Sequence, residues 1–219
     1  MLRDNVVSLV LSRLANRTDV TGKLTPIIQN ELMMVQGELE NSNFTPWFME
    51  RDLPNAFMTQ VQTDVEYPFP ADFRRAQEYM LFYWQPNVNP VNCSPWMNIL
   101  KDTDLGVVMQ RYPGYSNPRK YYQTGTGIRL FPMSDVPYQI RWRYYGAEPQ
   151  LTSNIQNGWT VHAPDVLAAQ TCLVMASNYI KDAELTVAFS ADLKLALTRL
   201  HNAHVAREAA DAHWTSGDD

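Results

Sequence analysis

Cysteine is scarce in this chain. Only Cys93 and Cys172 occur among its 219 residues. Two cysteines so far apart in sequence cannot form the disulfide framework of a small secreted protein, and they do not match the ligand spacing of a structural zinc site. We therefore predict two reduced thiols in the core of a protein that is made in the cytoplasm.

The chain also lacks an excess of charge of one sign. It has 18 basic and 23 acidic residues, a formal net charge of −5, and no run of like charges. These numbers argue against a broad basic surface that grips nucleic acid, since such binding depends on Lys and Arg neutralising phosphates. A mildly acidic protein can still enclose DNA without gripping it.

Long apolar runs are absent as well. No segment approaches the roughly 20 consecutive apolar residues that a membrane-spanning helix needs. The short apolar stretch near the N-terminus is interrupted by Asp4 and Ser8, and no small-residue cleavage site follows it. We predict a soluble protein with neither a signal peptide nor a membrane partner.

Both ends of the chain carry the apolar spacing of amphipathic helices. Apolar residues recur every three or four positions in four segments, as they do on one face of a helix. The predicted helices cover about residues 4–14, 24–40, 164–180 and 184–213. Pro26 falls in the first turn of the second helix, where no amide donor is needed. The first two helices should form a helical hairpin.

The middle of the chain has the alternating pattern of β-strands. Apolar and polar residues alternate in residues 127–131 and again in residues 138–144. We predict that these two segments pair as a β-hairpin, with its turn at residues 132–137. This hairpin should organise the β region.

Five further predictions concern the same middle region. Residues 61–67 alternate as a strand, and residues 105–111 form a short helix. Residues 77–84 are apolar at almost every position, as in a strand that is buried on both faces or lies at an oligomer contact. Residues 85–100 contain three prolines and form a long connection, and residues 149–158 form a loop.

Together these patterns predict an α+β fold. A helical bundle is built from the N- and C-terminal helices, and an antiparallel β unit is inserted in it. The predicted bundle domain is discontinuous and covers residues 1–45 and 160–219. The inserted β-rich domain covers residues 46–159.

Three arginines could form a positive surface on the β unit. Arg141 and Arg143 lie on the same face of one predicted strand, opposite Trp142 and Tyr144, and Arg129 lies on the other strand of the predicted hairpin. Such a ladder could meet acidic groups of a partner or a phosphate backbone. The alternative is a solvated sheet face on which neighbouring residues neutralise the arginines.

No motif indicates catalysis, a metal or a cofactor. His201, His204 and Glu208 could share one helix face as metal ligands, but an ordinary polar surface is the simpler interpretation. Gly125 and Gly127 lack the third glycine and the following helix of a phosphate-binding loop, so we predict a turn before a strand. We therefore predict a protein that is not an enzyme and binds no metal or cofactor.

Aromatic residues are abundant, with 11 tyrosines and six tryptophans. Aromatic residues are enriched in the cores of protein interfaces, which favours an assembly protein. Two other functions stay open. One is a hydrolase that pairs His162 or His201 with a loop carboxylate. The other is a small-molecule or carbohydrate-binding module, with a stacking platform. The platform would consist of the clustered residues Tyr121, Tyr122, Trp142, Tyr144 and Tyr145.

Several short motifs follow one another along almost the whole chain. In order they are Ile27-Ile-Gln-Asn-Glu-Leu32, Pro46-Trp47-Phe48, Tyr67-Pro-Phe-Pro-Ala-Asp-Phe-Arg74, Asn117-Pro-Arg-Lys-Tyr121, Gly127-Ile-Arg-Leu-Phe-Pro132, Tyr144-Tyr145, Leu151-Thr152, Asn157-Gly-Trp159 and Asp165-Val-Leu167. This ordered series resembles the head-to-tail adaptor proteins, also called neck or connector proteins, of short-tailed bacteriophages.

The resemblance implies a structural virion protein rather than an enzyme. Proteins of this kind form a ring, usually of twelve copies, below the portal protein of the DNA-filled capsid, and they present a platform for tail, nozzle or tail-fibre proteins. The resemblance further implies that the helical ends build the ring and bind the portal, whereas the β unit projects outward or toward the tail. DNA would pass through the ring without sequence-specific binding, and the mild negative charge fits such a conduit.

The end of the fourth predicted helix is the candidate segment for contact with the portal. Its apolar spacing fades after Leu200 and leaves Val205, Ala209 and Trp214 with no obvious partner in the chain. This pattern is typical of a segment that folds on binding, and tryptophan often anchors interfaces. We predict that residues 205–219 are poorly ordered in the free protein and become ordered against the portal.

Overall fold

Helices lie toward both ends of the part of the chain that the structure describes, and the strands lie between them. The computed structural model describes residues 1–14, 21–84, 97–152 and 155–215. In chain order, the elements are α1 (Arg3–Leu14), α2 (Thr21–Glu40), β1 (Glu50–Met58), β2 (Glu66–Pro68), β3 (Phe73–Trp84), β4 (Met97–Asp102), α3 (Leu105–Arg111), β5 (Lys120–Gln123), β6 (Gly127–Phe131), β7 (Gln139–Gly146), α4 (Gly158–His162), α5 (Pro164–Val174) and α6 (Ala183–Thr215). The predicted α+β class is confirmed.

The contacts within the chain divide it into two compact units. The helical unit consists of Met1–Met49 and Ala147–Asp219, and the β unit consists of Glu50–Gly146. The sequence prediction, by comparison, placed the domain boundaries between residues 45 and 46 and between residues 159 and 160.

Helix α5 forms the core of the helical unit. It packs against α1, α2, α4 and α6. Its buried residues are Val166, Leu167, Ala168, Ala169, Thr171 and Cys172. The apolar stripes of α1 and α2 are also buried, at Val6, Val7, Val10 and Leu14 and at Leu24, Ile28, Leu32, Val35 and Leu39. The spacing of three and four residues therefore predicted these helices correctly.

The structure corrects two details of the predicted helices. Helix α2 begins at Thr21, so Pro26 lies in its second turn rather than its first. The predicted helix 164–180 is not α-helical throughout, because α5 ends at Val174 and continues as the π-helical segment Met175–Ile180. Lys181 then has a φ of 57°, in the left-handed region, which ends the helix. The side chain of Asp182 accepts hydrogen bonds from the first amides of α6.

The short helix α4 has no counterpart in the sequence prediction, which gave a loop over residues 149–158 and the next helix from residue 164. Asn157 and Thr160 form a capping box, in which each side chain bonds the backbone amide of the other. The side-chain amide of Asn157 also donates to the carbonyl of Pro149 over 2.9 Å and to the side-chain oxygen of Gln36 over 3.2 Å. Gln36 in turn donates to Glu40 over 2.7 Å. These buried polar groups join α4 to α2 within the helical unit.

The β unit contains one seven-stranded sheet, with the strand order β1-β7-β3-β4-β5-β6-β2. Neighbouring strands are antiparallel except for β4 and β5, which are parallel. The sheet is therefore mixed rather than purely antiparallel as predicted. The apolar segment 77–84 is a strand, as predicted, and belongs to β3 between β7 and β4. Residues 85–96 of the predicted connection lie outside the described residues, and residues 97–100 belong to β4.

The predicted central hairpin is wrong. Both of its strands exist, as β6 and β7, but they do not pair with each other. Strand β6 pairs with β5 and β2, whereas β7 pairs with β1 and β3. The hairpin in this region is β5–β6, with its turn at residues 124–126. Alternation in sequence shows which face of a strand is buried, but it does not show which strand lies beside it.

The strand predicted at residues 61–67 is also wrong. Residues 61–65 form a turn and an irregular segment, and only the three residues of β2 are extended into the sheet. Strand β1, at residues 50–58, has no counterpart in the sequence prediction. Its ladder with β7 shifts register between Leu53 and Phe57, so a bulge interrupts the alternation there. The short helix predicted at residues 105–111 is confirmed as α3.

The inner face of the sheet encloses an apolar core. Its buried residues are Tyr67, Ile99, Tyr121, Ile128, Leu130, Tyr138, Ile140, Trp142 and Tyr144. The rings of Phe57 in β1 and Tyr67 in β2 stack with their centroids 4.2 Å apart. The sheet is therefore curved enough for residues of its two edge strands to meet. The hydroxyl of Tyr67 also accepts a hydrogen bond from the amide of Gln60 over 2.8 Å.

Candidate interaction surfaces

Arg141 and Arg143 project from β7 and share an acidic partner, Asp52 of β1. Arg141 donates to both carboxylate oxygens of Asp52, with an Nε–Oδ1 distance of 2.8 Å. The Nε of Arg143 lies 3.3 Å from Oδ2. The hydrogen bond from Arg141 lowers the pKa of Asp52, against a smaller effect of burial, which raises it. This arrangement fits the neutralised sheet face better than an open positive ladder.

Arg129 lies apart from these two arginines in the sheet. Three strands separate β6, which carries Arg129, from β7. Its guanidinium group is 3.5 Å from Asp64 and 3.8 Å from Glu66. The three arginines therefore do not form one ladder, and that part of the prediction is wrong. Their contact with a partner protein stays a prediction.

Residues 124–126 form the turn that was predicted before a strand. Glu66 accepts hydrogen bonds from the hydroxyls of Thr124, over 2.9 Å, and Thr126. These bonds, the one from Thr126 first, lower the pKa of Glu66. Gly127 follows, and a Cβ atom on it would lie 2.2 Å from the carbonyl oxygen of Tyr67. The glycine therefore permits close packing of two strands and is not part of a phosphate-binding loop.

Helix α6 exposes a stripe of uncharged residues along one side. The exposed positions are spaced alternately by three and four residues, which is the spacing at which one helix packs along another. They are Ala188, Ala191, Leu195, Thr198, Asn202 and Val205, which we call the α6 stripe. Leu195 is 51% exposed and Val205 is 47% exposed, and the neighbouring Val187 is 72% exposed. The buried side of the helix carries Phe189, Ala196 and Leu200.

An open apolar groove of about 700 Å³ lies beside the α6 stripe. It is formed by Phe44 together with Leu193 and Leu197 of α6, and Thr198 of the stripe also lines it. All of these residues belong to the helical unit. The groove and the stripe together give α6 an extended surface with many exposed apolar atoms, and large exposed apolar patches mark sites of protein interaction.

Two histidines of α6 contact the same aromatic ring. His201 and His204 each lie with their ring centroids 5.5 Å from that of Phe44, in edge-to-face geometry. His204 is only 9% exposed, so the predicted polar surface is wrong at this position. Among the residues that the structure describes, no group of three or more His, Cys, Asp or Glu side chains is placed to hold a metal ion.

The comparison with family models decides between the hypotheses drawn from the sequence. The model of the SU10 adaptor protein matches residues 7–217, which is almost the whole chain. The chain belongs to the SU10 adaptor protein family. The resemblance to phage head-to-tail adaptors is thereby confirmed, and membership indicates a structural phage protein. A comparison with curated proteins finds no match.

The aromatic platform of the alternative hypothesis does not exist in this member of the SU10 adaptor family. Tyr121, Trp142 and Tyr144 are 1, 2 and 2% exposed. Burial raises the pKa of Tyr121 to about 12, and the hydroxyl of Tyr144 donates to Asp72 over 2.7 Å. These three rings belong to the core of the β unit, so a ligand cannot stack on them.

The remaining nucleophile and base candidates lie in environments that do not favour catalysis. Cys172 is buried, and burial raises the pKa of its thiol to about 12. Such a thiol stays protonated and is a poor nucleophile. His162 is exposed and stacks on Phe48, with ring centroids 5.5 Å apart. Cys93 lies outside the described residues.

The candidate portal contacts lie on the last turns of α6. The helix continues through Thr215, so Val205, Ala209 and Trp214 belong to one element, and Val205 and Ala209 are exposed. The order of this segment in the free adaptor and its contact with the portal stay predictions. In the part of the chain that is described, no helix combines the length and apolar character needed to cross a bilayer.

Two features of these surfaces were missed in the sequence. No spacing rule connects Asp52 with Arg141, because their pairing depends on the β1–β7 register and on residues far apart in the chain. The α6 stripe, by contrast, is visible in the sequence as uncharged residues at alternating steps of three and four. It was missed because the larger apolar residues of the buried face dominate the apolar spacing of this helix.

Proposed function

We propose that this chain is the head-to-tail adaptor at the neck of a short-tailed phage virion, made in the host cytoplasm. It forms a ring of twelve copies below the portal protein, links the capsid to the tail and allows DNA to pass. The observation that carries this proposal is the exposed α6 stripe on a member of an adaptor family. A structural protein that works as a single chain has no need of such a surface.

The helical unit supplies the contacts between copies. A ring is closed by two different surfaces, one on each side of a copy, that fit each other. The groove at Phe44, Leu193 and Leu197 and the neighbouring α6 stripe, which share Thr198, form one of these two surfaces. Burial of such surfaces contributes about 25 cal/mol for each Å² removed from water.

The end of α6 makes the contact with the portal. Beyond Leu200, among the side chains that the structure describes, His204 is buried, and Val205 and Ala209 are exposed. An alanine-rich segment forms a helix at little cost in free energy. Trp214 anchors the segment, since a tryptophan that loses its water on binding commonly supplies a large share of the interface energy.

The β unit contacts tail, nozzle or tail-fibre proteins, and the passing DNA is not gripped. Arg129, Arg141 and Arg143 have acidic partners at Asp52, Asp64 and Glu66. The net charge of −5 is unfavourable for binding phosphates. Both features support a conduit that DNA crosses without being retarded.

Truncation after Ala206 tests the portal contact. The truncated protein should remain folded and should bind the portal more weakly, and Trp214→Ala should reproduce part of that loss. Tyr115→Ala, which removes a 53% exposed aromatic side chain from the β unit, is the matched control and should leave binding unchanged. Hydrogen exchange on the free protein adds a second readout, because strong protection of residues 205–214 without the portal would show a segment that is already docked.

A further inference from the structure

Helix α2 carries an uncharged stripe on the side that faces away from the core of the helical unit. The stripe consists of Ile27, Asn30, Met34 and Gly37, which follow one another at steps of three, four and three residues. We call these four residues the α2 stripe. Met34 is 65% exposed and Asn30 is exposed, whereas Ile27 and Gly37 are half-buried. A large flexible side chain such as that of Met34 is seldom left so open unless it has a partner.

The α2 stripe has the same spacing as part of the α6 stripe. Residues 195, 198, 202 and 205 of α6 follow one another at steps of three, four and three residues. Two helices pack along each other when both carry side chains at these steps. Helices α2 and α6 both pack against α5, and each exposes its stripe on the opposite side. The two stripes can therefore meet only between two copies of the chain.

Gly37 indicates that another helix approaches α2 closely. Within a helix, glycine is less favourable than alanine. A Cβ atom on Gly37 would find open space, because no neighbouring atom of the described chain lies within 4 Å of its position. Packing within one copy therefore does not require a glycine here. A residue without a side chain is useful where a large side chain of a partner must fit against the backbone.

An antiparallel arrangement of the two helices supplies that large side chain. When the stripes are aligned at their ends, Gly37 of one copy lies opposite Leu195 of the next copy. Leu195 is 51% exposed in the single chain and would fill the space above the glycine. At the other end of the alignment, Ile27 lies opposite Val205, which is 47% exposed. Both pairs would remove apolar surface from water.

The two middle positions match as well. Met34 lies opposite Thr198, which lines the apolar groove beside the α6 stripe, so its flexible side chain can enter this groove. Asn30 lies opposite Asn202, and two side-chain amides can donate to and accept from each other. A parallel alignment of the same positions would instead place Met34 against Asn202, where an apolar side chain would cover a polar one.

Charged residues beside the stripes are complementary in sign. Arg199 directly follows Thr198 on α6, and Glu31 directly follows Asn30 on α2. In an antiparallel pair of helices, positions that follow the stripes lie on the same side, where charges of opposite sign favour a partner and its orientation. Arg199 is exposed, and Glu31 is half-buried where it accepts a hydrogen bond from Tyr179 over 2.6 Å.

We propose that the α2 stripe of one copy packs antiparallel against the α6 stripe of the next copy, and that this contact closes the ring. The partner of the α6 stripe is therefore a second copy of this chain. The inference rests on the ring proposed above, and it identifies the second of the two surfaces that a ring requires.

Cysteine cross-linking in the complex with the portal protein tests this contact. The double variant Asn30→Cys/Asn202→Cys places two thiols opposite each other between neighbouring copies, within the range of a disulfide. Mild oxidation should give a ladder of cross-linked copies on a denaturing gel. The double variant Asn30→Cys/Ala188→Cys is the matched control, because Ala188 belongs to the same stripe but lies 14 residues from Asn202, about 21 Å along the helix. It should give no more product than the oxidised wild type.

Substitution of Gly37 adds a test that does not depend on oxidation. Gly37→Leu fills the space that Leu195 of the next copy needs, so it should prevent the ring. The variant should unfold at a denaturant concentration no lower than that of the wild type, because the added side chain meets open space in the single chain. Gly125→Leu is the control, since its Cβ position is equally open but lies in the β unit, and it should leave the ring intact.

The possible results separate this inference from the adaptor role. A ring that forms with the portal, but without the Asn30–Asn202 cross-link or with equal cross-linking in the control, would overturn the α2–α6 contact alone. A normal ring of Gly37→Leu would do the same. The absence of any ring in the wild type would overturn both the contact and the proposed function.

Discussion

Gly127 lies where β6 passes closest to the backbone of β2. A Cβ atom there would lie 2.2 Å from the carbonyl oxygen of Tyr67, whereas the Cβ position of Gly125 has no atom within 4 Å. We expect Gly127→Ala to lower the free energy of unfolding by roughly 1–3 kcal/mol, because backbone cannot easily move aside. Gly125→Ala should change it by less than about 0.5 kcal/mol. Denaturant unfolding compares the two variants, and equal effects would contradict the close approach.

Asp52 makes the stability of the β unit depend on pH in a defined direction. Its pKa is lowered in the folded state from the ordinary value of 3.8, chiefly by the hydrogen bond from Arg141. Such a carboxylate stabilises the fold above its unfolded-state pKa, and this contribution is lost as the pH falls through the lowered value. Asp52→Asn should therefore destabilise the protein at neutral pH and make little difference well below pH 3.8.

Thermal unfolding of the wild type and of Asp52→Asn across this range of pH provides the measurement. The expected difference at neutral pH is small, because Asp52 is exposed enough for water to screen the ion pair. Asp135→Asn is the control, since Asp135 is an exposed acid of the same unit whose side chain bonds Tyr138 and the amide of Val136 rather than an arginine. A difference in thermal stability between Asp52→Asn and the wild type that grows as the pH falls would contradict this prediction.

At the scale of elements, the sequence predicts helices better than it predicts the sheet. A helix depends on spacing within one segment, which is why α1, α2 and α6 lie close to their predicted positions. Strand pairing depends on residues far apart in the chain, and the predicted pairing of β6 with β7 was wrong. Alternation identified the buried face of β7 correctly, with Ile140, Trp142 and Tyr144 inside.

Strand β1 shows why some elements leave no pattern in the sequence. Its segment contains Pro54, and its ladder is interrupted between Leu53 and Phe57, so apolar and polar residues do not alternate. The strand is held by its neighbour β7 and by the pairing of Asp52 with Arg141 and Arg143. These contacts depend on the tertiary structure, so a short stretch of sequence does not predict them.

Helix α4 offers a test of an element that depends on its cap. Asn157→Ala removes the capping box and also the buried hydrogen bonds to Pro149 and Gln36. We expect it to lower the free energy of unfolding by at least about 2 kcal/mol, the upper end of the range for caps. Asp104→Ala removes the cap of α3, which bonds Val107 in an exposed position, and should cost about 1 kcal/mol. Similar losses in denaturant unfolding of both variants would contradict a structural role for the buried bonds.

The whole molecule shows surfaces whose purpose a single chain does not explain. The mild net charge argues against a broad nucleic-acid-binding surface, the abundance of aromatic residues favours an assembly protein, and the ordered motifs indicate the family. Five of the tyrosines and tryptophans that suggested an interface are buried in the core of the β unit, whereas the α6 stripe is exposed. The sequence could not separate these two roles, because burial depends on how the elements pack.

The α6 stripe should therefore be required for assembly but not for folding. Leu195→Asp replaces a 51% exposed residue at the middle of the stripe, and the charge would be buried between copies in a ring. Met109→Asp on α3 is the matched control, because Met109 is also 51% exposed and lies in the β unit. Both variants should unfold at nearly the wild-type denaturant concentration, and only Leu195→Asp should prevent formation of the ring.

Native mass spectrometry of the purified chain mixed with its portal protein tests the central claim most directly. We expect one complex in which twelve copies of the chain are bound to the portal, formed by the wild type and by Met109→Asp and lost in Leu195→Asp. A chain that stays monomeric in the presence of the portal, or a complex that forms equally well with Leu195→Asp, would contradict the account of an adaptor ring closed through α6.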